Sequence, residues 1–200
     1  NMGGDLRFSI VTKEQSAIEQ TDLLEDVKAL IDNHAPTYPK IKRVKGDNLL
    51  IINPADIHIG KLAVASETGE DYNTEIACTR VLEGIEGLIS KSQGFNVDRV
   101  LFCIGNDILH TDGVLSTTTR GTYQDTDKKW WQHYEIALEL YVKCVEILRQ
   151  VAPVDVVHSM SNHDFQSGFH LAHALQSWFR KADDVSFDIS VANRKYYKYG

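Results

Sequence analysis

The sequence predicts an α/β fold with a mostly parallel sheet. Apolar runs at residues 49–52, 100–104 and 154–157 have the length and composition of buried strands. Between them, residues 74–90 and 127–150 carry apolar side chains at helical spacing. Because strands and helices alternate, we expect right-handed crossovers that build a parallel sheet with helices on both of its faces.

The helix predicted at 127–150 is the longest element. Pro153 follows it, and a residue before proline disfavours the helical conformation. We expect a further helix over 169–181 and two more strands over 185–191 and 195–199. The apolar stripe of the long helix consists of Trp131, Tyr134, Leu138, Tyr141, Val142, Val145 and Leu148.

The residues before the first strand have a different pattern. Residues 21–33 have helical spacing, two prolines then break it, and a basic stretch follows at 40–45. A basic run of this length is usually a solvated linker. We therefore expect an N-terminal helical lead-in and linker over residues 1–46, followed by one domain over residues 47–200.

Composition indicates a globular protein without a membrane span. Of 200 residues, 42% are hydrophobic and 24% are charged, enough for a proper core. The apolar runs are far shorter than the roughly 20 residues of a membrane-spanning helix, and no signal-peptide pattern is present. Cys78, Cys103 and Cys144 lie far apart inside apolar stretches, which favours reduced packing thiols. We therefore expect a cytoplasmic protein.

The net charge disfavours one class of function. With a net charge of -7 and an isoelectric point near 5.6, the chain is not expected to carry a broad basic surface for non-specific binding of duplex DNA. Bound divalent metals can reverse the field around a carboxylate cluster. The acidic composition therefore makes a nucleic-acid substrate less favoured without excluding it.

A polar cluster follows each of the three predicted strands. Ligands bind outside the carboxyl ends of parallel strands, so we expect these clusters to lie together. Each mixes carboxylate, amide and imidazole groups, which are ligands for divalent transition metals. The clusters are Asn53-Pro-Ala-Asp56-Ile-His58, Gly105-Asn106-Asp107-Ile-Leu-His110 and His158-Ser-Met-Ser-Asn162-His163-Asp164.

Each cluster taken alone has an ordinary alternative. Asp56 and His58 are two residues apart, which places both side chains on one side of an extended backbone. Asp107 closes a turn that starts with glycine, where its carboxylate can bridge two ions, but Gly-Asn-Asp is also a common turn sequence. The Asn162 amide can bind a metal while His163 holds a proton, or this segment can cap the next helix. Three such clusters at three strand ends favour a metal site.

The order D-x-H, G-N-D-x-x-H and N-H-D resembles the calcineurin-like metallophosphoesterase superfamily, over residues 49–200. The resemblance implies a layered fold of two packed mixed sheets flanked by helices. It also implies two divalent metal ions at the sheet edge, most often manganese, with iron or zinc as alternatives. Asp56 and His58 would bind the first ion, Asp107 would bridge, and Asn162 would bind the second.

The resemblance also implies catalytic residues and a substrate class. His163 would face the phosphate and protonate the leaving oxygen, with Asp164 or His110 tuning it. The Asp-x-x-His pattern ending at His110 resembles the repair-exonuclease branch, and the Thr-rich loop 116–124 resembles phosphoesterases encoded by phages and prophages. We therefore expect a DNA exonuclease-like phosphodiesterase that uses a water activated by two metals. Separately from the resemblance, the loop position and charge of Arg120 suggest that it holds a phosphate oxygen; otherwise it is a solvated surface arginine.

Departures from the family pattern leave alternatives open. Ser161 replaces the usual glycine, and Asn106 is inserted between the usual glycine and aspartate; we expect the site to tolerate both. No histidine follows His173, whereas the family pattern continues with a histidine and a Gly-His-x-His motif. We expect these ligands beyond residue 200; otherwise the site is degenerate and the protein is a non-catalytic binding module. A phosphomonoesterase is the nearest alternative among enzymes.

Four more residues of metal-ligand or base-stacking type are expected to lie outside the site. His170 and His173 fall in a predicted helix and are expected on its surface or in the core. Trp130 and Trp131 could stack on nucleobases, but their helical spacing beside Tyr134 favours core or interface packing.

Overall fold

The computed structural model describes residues 29, 36–43 and 45–200 of the chain. The helix predicted over 21–33 therefore lies outside the described residues, apart from Ala29. One compact unit extends from Thr37 to Gly200. Residues 37–46, for which we predicted a linker, begin this unit.

The unit alternates strands and helices, as predicted. In chain order the elements are β1 (Asn48–Ile52), α1 (Ala65–Thr68), α2 (Thr74–Lys91), β2 (Val97–Gly105), α3 (Trp130–Val151), β3 (Val154–Ser159), α4 (Phe165–Trp178) and β4 (Val185–Asp188). The strands form one sheet in the order β1-β2-β3-β4, and all three neighbouring pairs are parallel. The α/β prediction is confirmed, whereas the resemblance implied two mixed sheets and the described residues form one parallel sheet.

All three long helices pack on one face of this sheet. Strand residues such as Ile52, Phe102 and Val156 are buried in a single core cluster with the apolar faces of α2, α3 and α4. Ile51, which points to the opposite face of β1, is 56% exposed. The expectation of helices on both faces is therefore wrong for the described residues. Each crossover steps to the next strand in the same direction, and a constant handedness then puts every helix on the same side.

The buried stripe of α3 overlaps the predicted one only in part. Of the predicted residues, Tyr141, Val145 and Leu148 are buried, Tyr134, Leu138 and Val142 are partly buried, and Trp131 is exposed. Trp131 is 48% exposed and the neighbouring Trp130 is 47% exposed. Trp131 lies on the flank of the stripe, at helical spacing from the partly buried Tyr134 and Leu138. The buried residues of the helix are His133, Ala137, Leu140, Tyr141, Cys144, Val145, Leu148 and Arg149.

The strand predicted over 195–199 does not form, and β4 ends three residues earlier than predicted. The Asp188 carboxylate accepts hydrogen bonds from the backbone of Ser190 (3.1 Å) and from Lys195 Nζ (2.8 Å), which turns the chain after β4. The Tyr197 hydroxyl donates to Asp155 Oδ2 at 2.6 Å. Side-chain hydrogen bonds thus hold this segment against the sheet without backbone pairing.

Two smaller predictions concern thiols and membranes. All three cysteines are free, and Cys144 is fully buried in the core. In the described part of the chain, no helix combines the length and apolar character that a membrane crossing needs.

A buried ion-pair cluster fixes residues 37–43 to α3. Arg149 is only 4% exposed, and its Nε donates to Asp184 Oδ1 at 2.7 Å. Arg43 donates from one guanidinium nitrogen to Asp184 Oδ2 (2.6 Å) and to the Arg149 carbonyl oxygen (2.5 Å). The Arg149 guanidinium also lies 4.4 Å from the centre of the Tyr38 ring. Arg43, within the predicted solvated linker, therefore takes part in the packing of the domain.

Replacing the carboxylate of this cluster should cost stability. We expect Asp184→Asn to lower the free energy of unfolding by about 3 kcal/mol, because it leaves two guanidinium groups without a counter-charge in a largely buried setting. The measurement is urea unfolding followed by circular dichroism. Asp183→Asn is the matched control: its side chain is 78% exposed and pairs with Lys40 at the surface, so we expect a change below about 1 kcal/mol. Equal losses in the two variants would contradict this account.

A buried histidine should make the fold sensitive to acid. His158 is 1% exposed, and its ring nitrogens have no hydrogen-bond partner among the described residues. Burial, together with the charges of Lys195 and His173, lowers the pKa of His158 to about 4. Because this value lies below the ordinary pKa of histidine in the unfolded chain, the unfolded state binds the proton more readily. Stability from His158 is therefore fully present above about pH 6.5 and is lost as the pH falls toward 4.

We expect His158→Leu to remove this loss, which is on the order of 1–3 kcal/mol in the parent protein. The measurement is the urea midpoint between pH 7 and pH 4 for both proteins. His170→Gln removes an exposed histidine and should keep the parental pH dependence. An unchanged slope in His158→Leu would show that other groups cause the acid sensitivity.

Candidate metal centre

The loops that follow β1 and β2 remain paired beyond the end of the sheet. The backbone N–H of Asp56 donates to the Asn106 carbonyl at 2.9 Å, and that of His58 to the Asp107 carbonyl at 3.0 Å. The next bond, from Ile59 to the Ile108 carbonyl, measures 2.8 Å, and both isoleucine side chains are fully buried. The first two polar clusters are therefore held side by side, as predicted.

The backbone at these loops is strained. Asp56, His58, Asn106 and Asp107 have φ angles of 56°, 51°, 47° and 65°, in the left-handed region that residues other than glycine rarely adopt. Our expectation of an extended backbone from Asp56 to His58 is therefore wrong. The two side chains still meet, since His58 Nε2 lies 3.9 Å from Asp56 Oδ1. Strain of this kind tends to concentrate at functional sites.

Asp107 joins the loop after β2 to the loop after β3. Its Oδ1 accepts the backbone N–H groups of Asn162 (3.1 Å) and His163 (2.9 Å). Its own N–H donates to the Ser161 hydroxyl at 2.7 Å. Ser161, which departs from the family pattern, thus contributes a hydrogen bond that glycine lacks. The third polar cluster is brought to the first two through these bonds.

Three imidazole rings meet at this point. The ring centres of His58, His110 and His163 are 4.5–5.4 Å apart, and Nδ1 of His58 lies 3.3 Å from Nδ1 of His110. Burial and the neighbouring rings lower the pKa of His58, and they lower the pKa of His110 to about 3. Both rings are therefore neutral at physiological pH, the form in which imidazole binds metals.

Two groups of side chains are positioned to bind a metal ion. One consists of His58, His110 and His163, and the other of Asp56, His58 and Asp107. Within each group, one candidate ligand atom per residue lies within 4.8 Å of the others. Carboxylate oxygen and imidazole nitrogen together suit divalent transition metals.

Two other predicted site residues, Asn162 and Arg120, adjoin the cluster through backbone contacts, and both of their side chains are exposed. Asn162 adjoins it through its backbone bond to Asp107, and its side chain is exposed. Arg120 is exposed and follows Thr119, whose N–H donates to the His163 carbonyl at 3.1 Å. Metal binding by Asn162 and phosphate binding by Arg120 stay predictions.

Asp164 does not tune His163 by a side-chain contact, contrary to expectation. It is fully buried and turned away, with Oδ2 accepting the Leu109 N–H at 2.9 Å. Burial raises the pKa of Asp164 to about 7, against the hydrogen bonds from the Ser161 side chain and the Leu109 backbone. Instead, His163 Nδ1 lies 3.0 Å from the backbone carbonyl of His110 and donates to it. Asp164 also occupies the N-cap position of α4, although its side chain does not cap.

Asp112 has a structural role that the sequence pattern did not indicate. Its Oδ1 accepts the N–H and the hydroxyl of Ser167, and its Oδ2 accepts the Gln166 N–H and the Thr119 hydroxyl, at 2.7–3.1 Å. Asp112 therefore caps the N-terminus of α4 and joins it to the Thr-rich loop. Helix-capping signals are sought next to the helix in sequence, and this residue precedes the helix by more than fifty positions.

A groove opens directly beside the cluster. It has a volume of about 590 Å³ and runs from Asp56 and His58 along the outer edge of β1 and the face of α2. Ile52, Val81 and Ile85 line it with apolar surface, and its other lining residues include Lys61, Tyr72 and Arg80. Its size is that of a pocket for a drug-sized ligand.

Comparison of the chain with models of known families, with curated proteins and with solved structures gives no match.

The turn that begins at Gly105 should tolerate no side chain. Gly105 has φ of 104°, and an added Cβ would overlap the Ser159 carbonyl. We expect Gly105→Ala to lower the free energy of unfolding by about 3 kcal/mol or more. Gly87→Ala is the matched control, since Gly87 lies within α2 and has open space around it. We expect this change to raise the free energy of unfolding by about 0.5–1 kcal/mol. Thermal unfolding measures both, and a neutral Gly105→Ala would refute the close approach of β2 and β3 at this point.

Proposed function

We propose that this protein is a metal-dependent phosphoester hydrolase, acting on phosphodiesters in the manner of a DNA exonuclease. One observation carries the proposal: the ends of three neighbouring parallel strands bring His58, Asp107 and His163 together. Nitrogen and oxygen donors from three separate loops are hard to explain as turn chemistry. The choice of phosphoester chemistry, and of diesters over monoesters, rests on the resemblance of the motifs.

The donor set fits the divalent metals that this chemistry requires. Asp56, His58 and Asp107 would hold one ion, with Asp107 bridging to a second held by Asn162. Manganese is the preferred candidate, with iron or zinc as alternatives. When bound, such ions polarise a phosphoryl oxygen and lower the pKa of a coordinated water.

His163 is the residue best placed to move a proton. Its Nδ1–H is committed to the His110 carbonyl, which leaves Nε2 as the nitrogen that exchanges a proton with substrate. The bond from its backbone to Asp107 fixes its distance from the proposed metal ligands. A positioned acid of this kind contributes roughly 100- to 10,000-fold to the rate.

The groove beside Asp56 and His58 supports a substrate larger than phosphate. The Lys61 ammonium and the Arg80 guanidinium lie 5.7 and 5.4 Å from the centre of the Tyr72 ring. Arg80 also pairs with Glu70 at 3.3 Å, and Asp71 lines the same groove, so a favourable field for an anionic diester would come from Lys61 together with bound metal ions. The apolar lining offers space for the organic group attached to the phosphorus.

Removal of the bridging charge should abolish hydrolysis without unfolding the protein. With Mn²⁺, we expect the parent to cleave an aryl phosphodiester or DNA, and Asp107→Asn to lose at least about a hundredfold in kcat/KM. The amide oxygen of asparagine can still accept the two N–H groups from Asn162 and His163. Unfolding midpoints should therefore stay close to the parental value. Asp183→Asn, an exposed carboxylate elsewhere, is the control.

The substrates should include an aryl diester, an aryl monoester and single- and double-stranded DNA. Faster cleavage of the monoester would make the protein a phosphatase. No metal-dependent cleavage of any of them would refute the proposal and favour a non-catalytic binding module.

A further inference from the structure

We propose that His58, His110 and His163 form a cation site of their own, which binds a nitrogen-preferring transition metal such as Zn²⁺ or Co²⁺. The ligand atoms are Nδ1 of His58, Nδ1 of His110 and Nε2 of His163. This goes beyond the proposed function, in which neither His110 nor His163 binds a metal: His163 moves a proton, and His110 orients it through its backbone carbonyl. The three rings are assigned as ligands by their geometry alone.

The closest nitrogen pair already has the spacing of two ligands on one ion. Nδ1 of His58 and Nδ1 of His110 are 3.3 Å apart. In a tetrahedral zinc site with metal–nitrogen distances of about 2.0–2.1 Å, two ligand nitrogens lie about 3.3–3.4 Å apart. A hydrogen bond from the N–H of one ring to the lone pair of the other also fits this distance, depending on the tautomer. When both Nδ1 atoms are deprotonated, their two lone pairs have the spacing to bind one shared ion.

The third ring is oriented by the contact that metal-binding histidines usually make. His163 Nδ1 donates to the His110 carbonyl at 3.0 Å, so the Nε2 lone pair is free to bind. One ring nitrogen from each of the three histidines lies within 4.8 Å of those of the other two, so the widest pair is within about 1.5 Å of tetrahedral spacing. A small side-chain rotation closes that difference.

The backbone holds two of these ligands in place before a metal binds. The His110 N–H donates to the Ile59 carbonyl at 3.0 Å, and the His163 N–H donates to Asp107 at 2.9 Å. His110 is also 6% exposed, so packing restricts its ring. A site held in this way loses little conformational entropy when it binds an ion.

Three imidazoles select a particular class of cation. Imidazole suits zinc, cobalt, nickel and copper, whereas magnesium and calcium prefer oxygen ligands. An ion at this site occupies the His163 lone pair, which the proposed hydrolysis uses for proton transfer. Zinc should therefore inhibit manganese-dependent cleavage; this consequence rests on the proposed function, whereas the site itself does not.

The test is a titration of the full chain with Co²⁺, monitored by visible absorption. We expect one equivalent of Co²⁺ to give the intense bands of a low-coordinate, nitrogen-rich site. His110→Phe and His163→Phe each keep a ring of similar size, remove the ligand nitrogens, and should weaken binding at least about tenfold with loss of the bands. His173→Phe removes an exposed histidine on α4, and we expect it to keep the parental Co²⁺ affinity and the absorption bands.

Parental cobalt binding in both His110→Phe and His163→Phe would overturn the proposal and leave Asp56, His58 and Asp107 as the binding group. If a variant unfolds, the test is instead a Zn²⁺ titration of the parent protein, in which the ¹⁵N resonances of the histidine rings show which nitrogens bind the ion. His58 Nδ1, His110 Nδ1 and His163 Nε2 should shift, and unchanged resonances of His110 and His163 would overturn the site. Asp56→Asn separates the two proposals, since it should stop hydrolysis and keep the cobalt bands.

Discussion

The Asp107 carboxylate is the point on which the site depends. One of its oxygens accepts two successive backbone N–H groups, from Asn162 and His163, and so joins the end of β2 to the end of β3. Asp107 is 7% exposed, and a carboxylate this buried requires such donors. The left-handed turn that starts at Gly105 brings the carboxylate into reach of them. Without this link, nothing in the parallel sheet alone would set His163 beside His58.

Partly buried acidic groups organise the loops around this point. Asp112 accepts backbone hydrogens at the start of α4, and Asp127 accepts the N–H and hydroxyl of Thr74 at the start of α2. Asp127 also lies 2.9 Å from Nε2 of the buried His133. Anionic groups are stabilised at helix N-termini, where the orphan N–H groups and the helix dipole converge. Part of the acidic composition thus serves the architecture of the site, so the net charge alone is a poor guide to what the protein binds.

The regular elements were predictable because apolar periodicity is a local property. The strands β1 to β3 and the helices α2 and α3 follow directly from it, and the polar residues at the strand ends led to His58, Asp107 and His163. Contacts between distant residues were not predictable: Asp112 acts on a helix more than fifty positions away, and Asp164 turns inward to Leu109. The placement of the helices on one face depends on strand order, which periodicity does not encode. Residues 195–199 have the composition of a strand, yet their side chains find polar partners first.

His58 belongs to both candidate metal groups, and it faces them with different nitrogens. Its Nδ1 lies 3.3 Å from His110, whereas its Nε2 lies 3.9 Å from the Asp56 carboxylate. A neutral imidazole has one nitrogen lone pair, so the tautomer decides which group His58 can complete. A cation that prefers oxygen ligands would favour the His58 tautomer with its lone pair on Nε2, beside the carboxylates, and would leave His163 free to move a proton. A cation that prefers nitrogen ligands would favour the tautomer with the lone pair on Nδ1 and would also bind His163. The two metal groups therefore exclude each other through a single ring, and the identity of the metal would set the protonation state of the site.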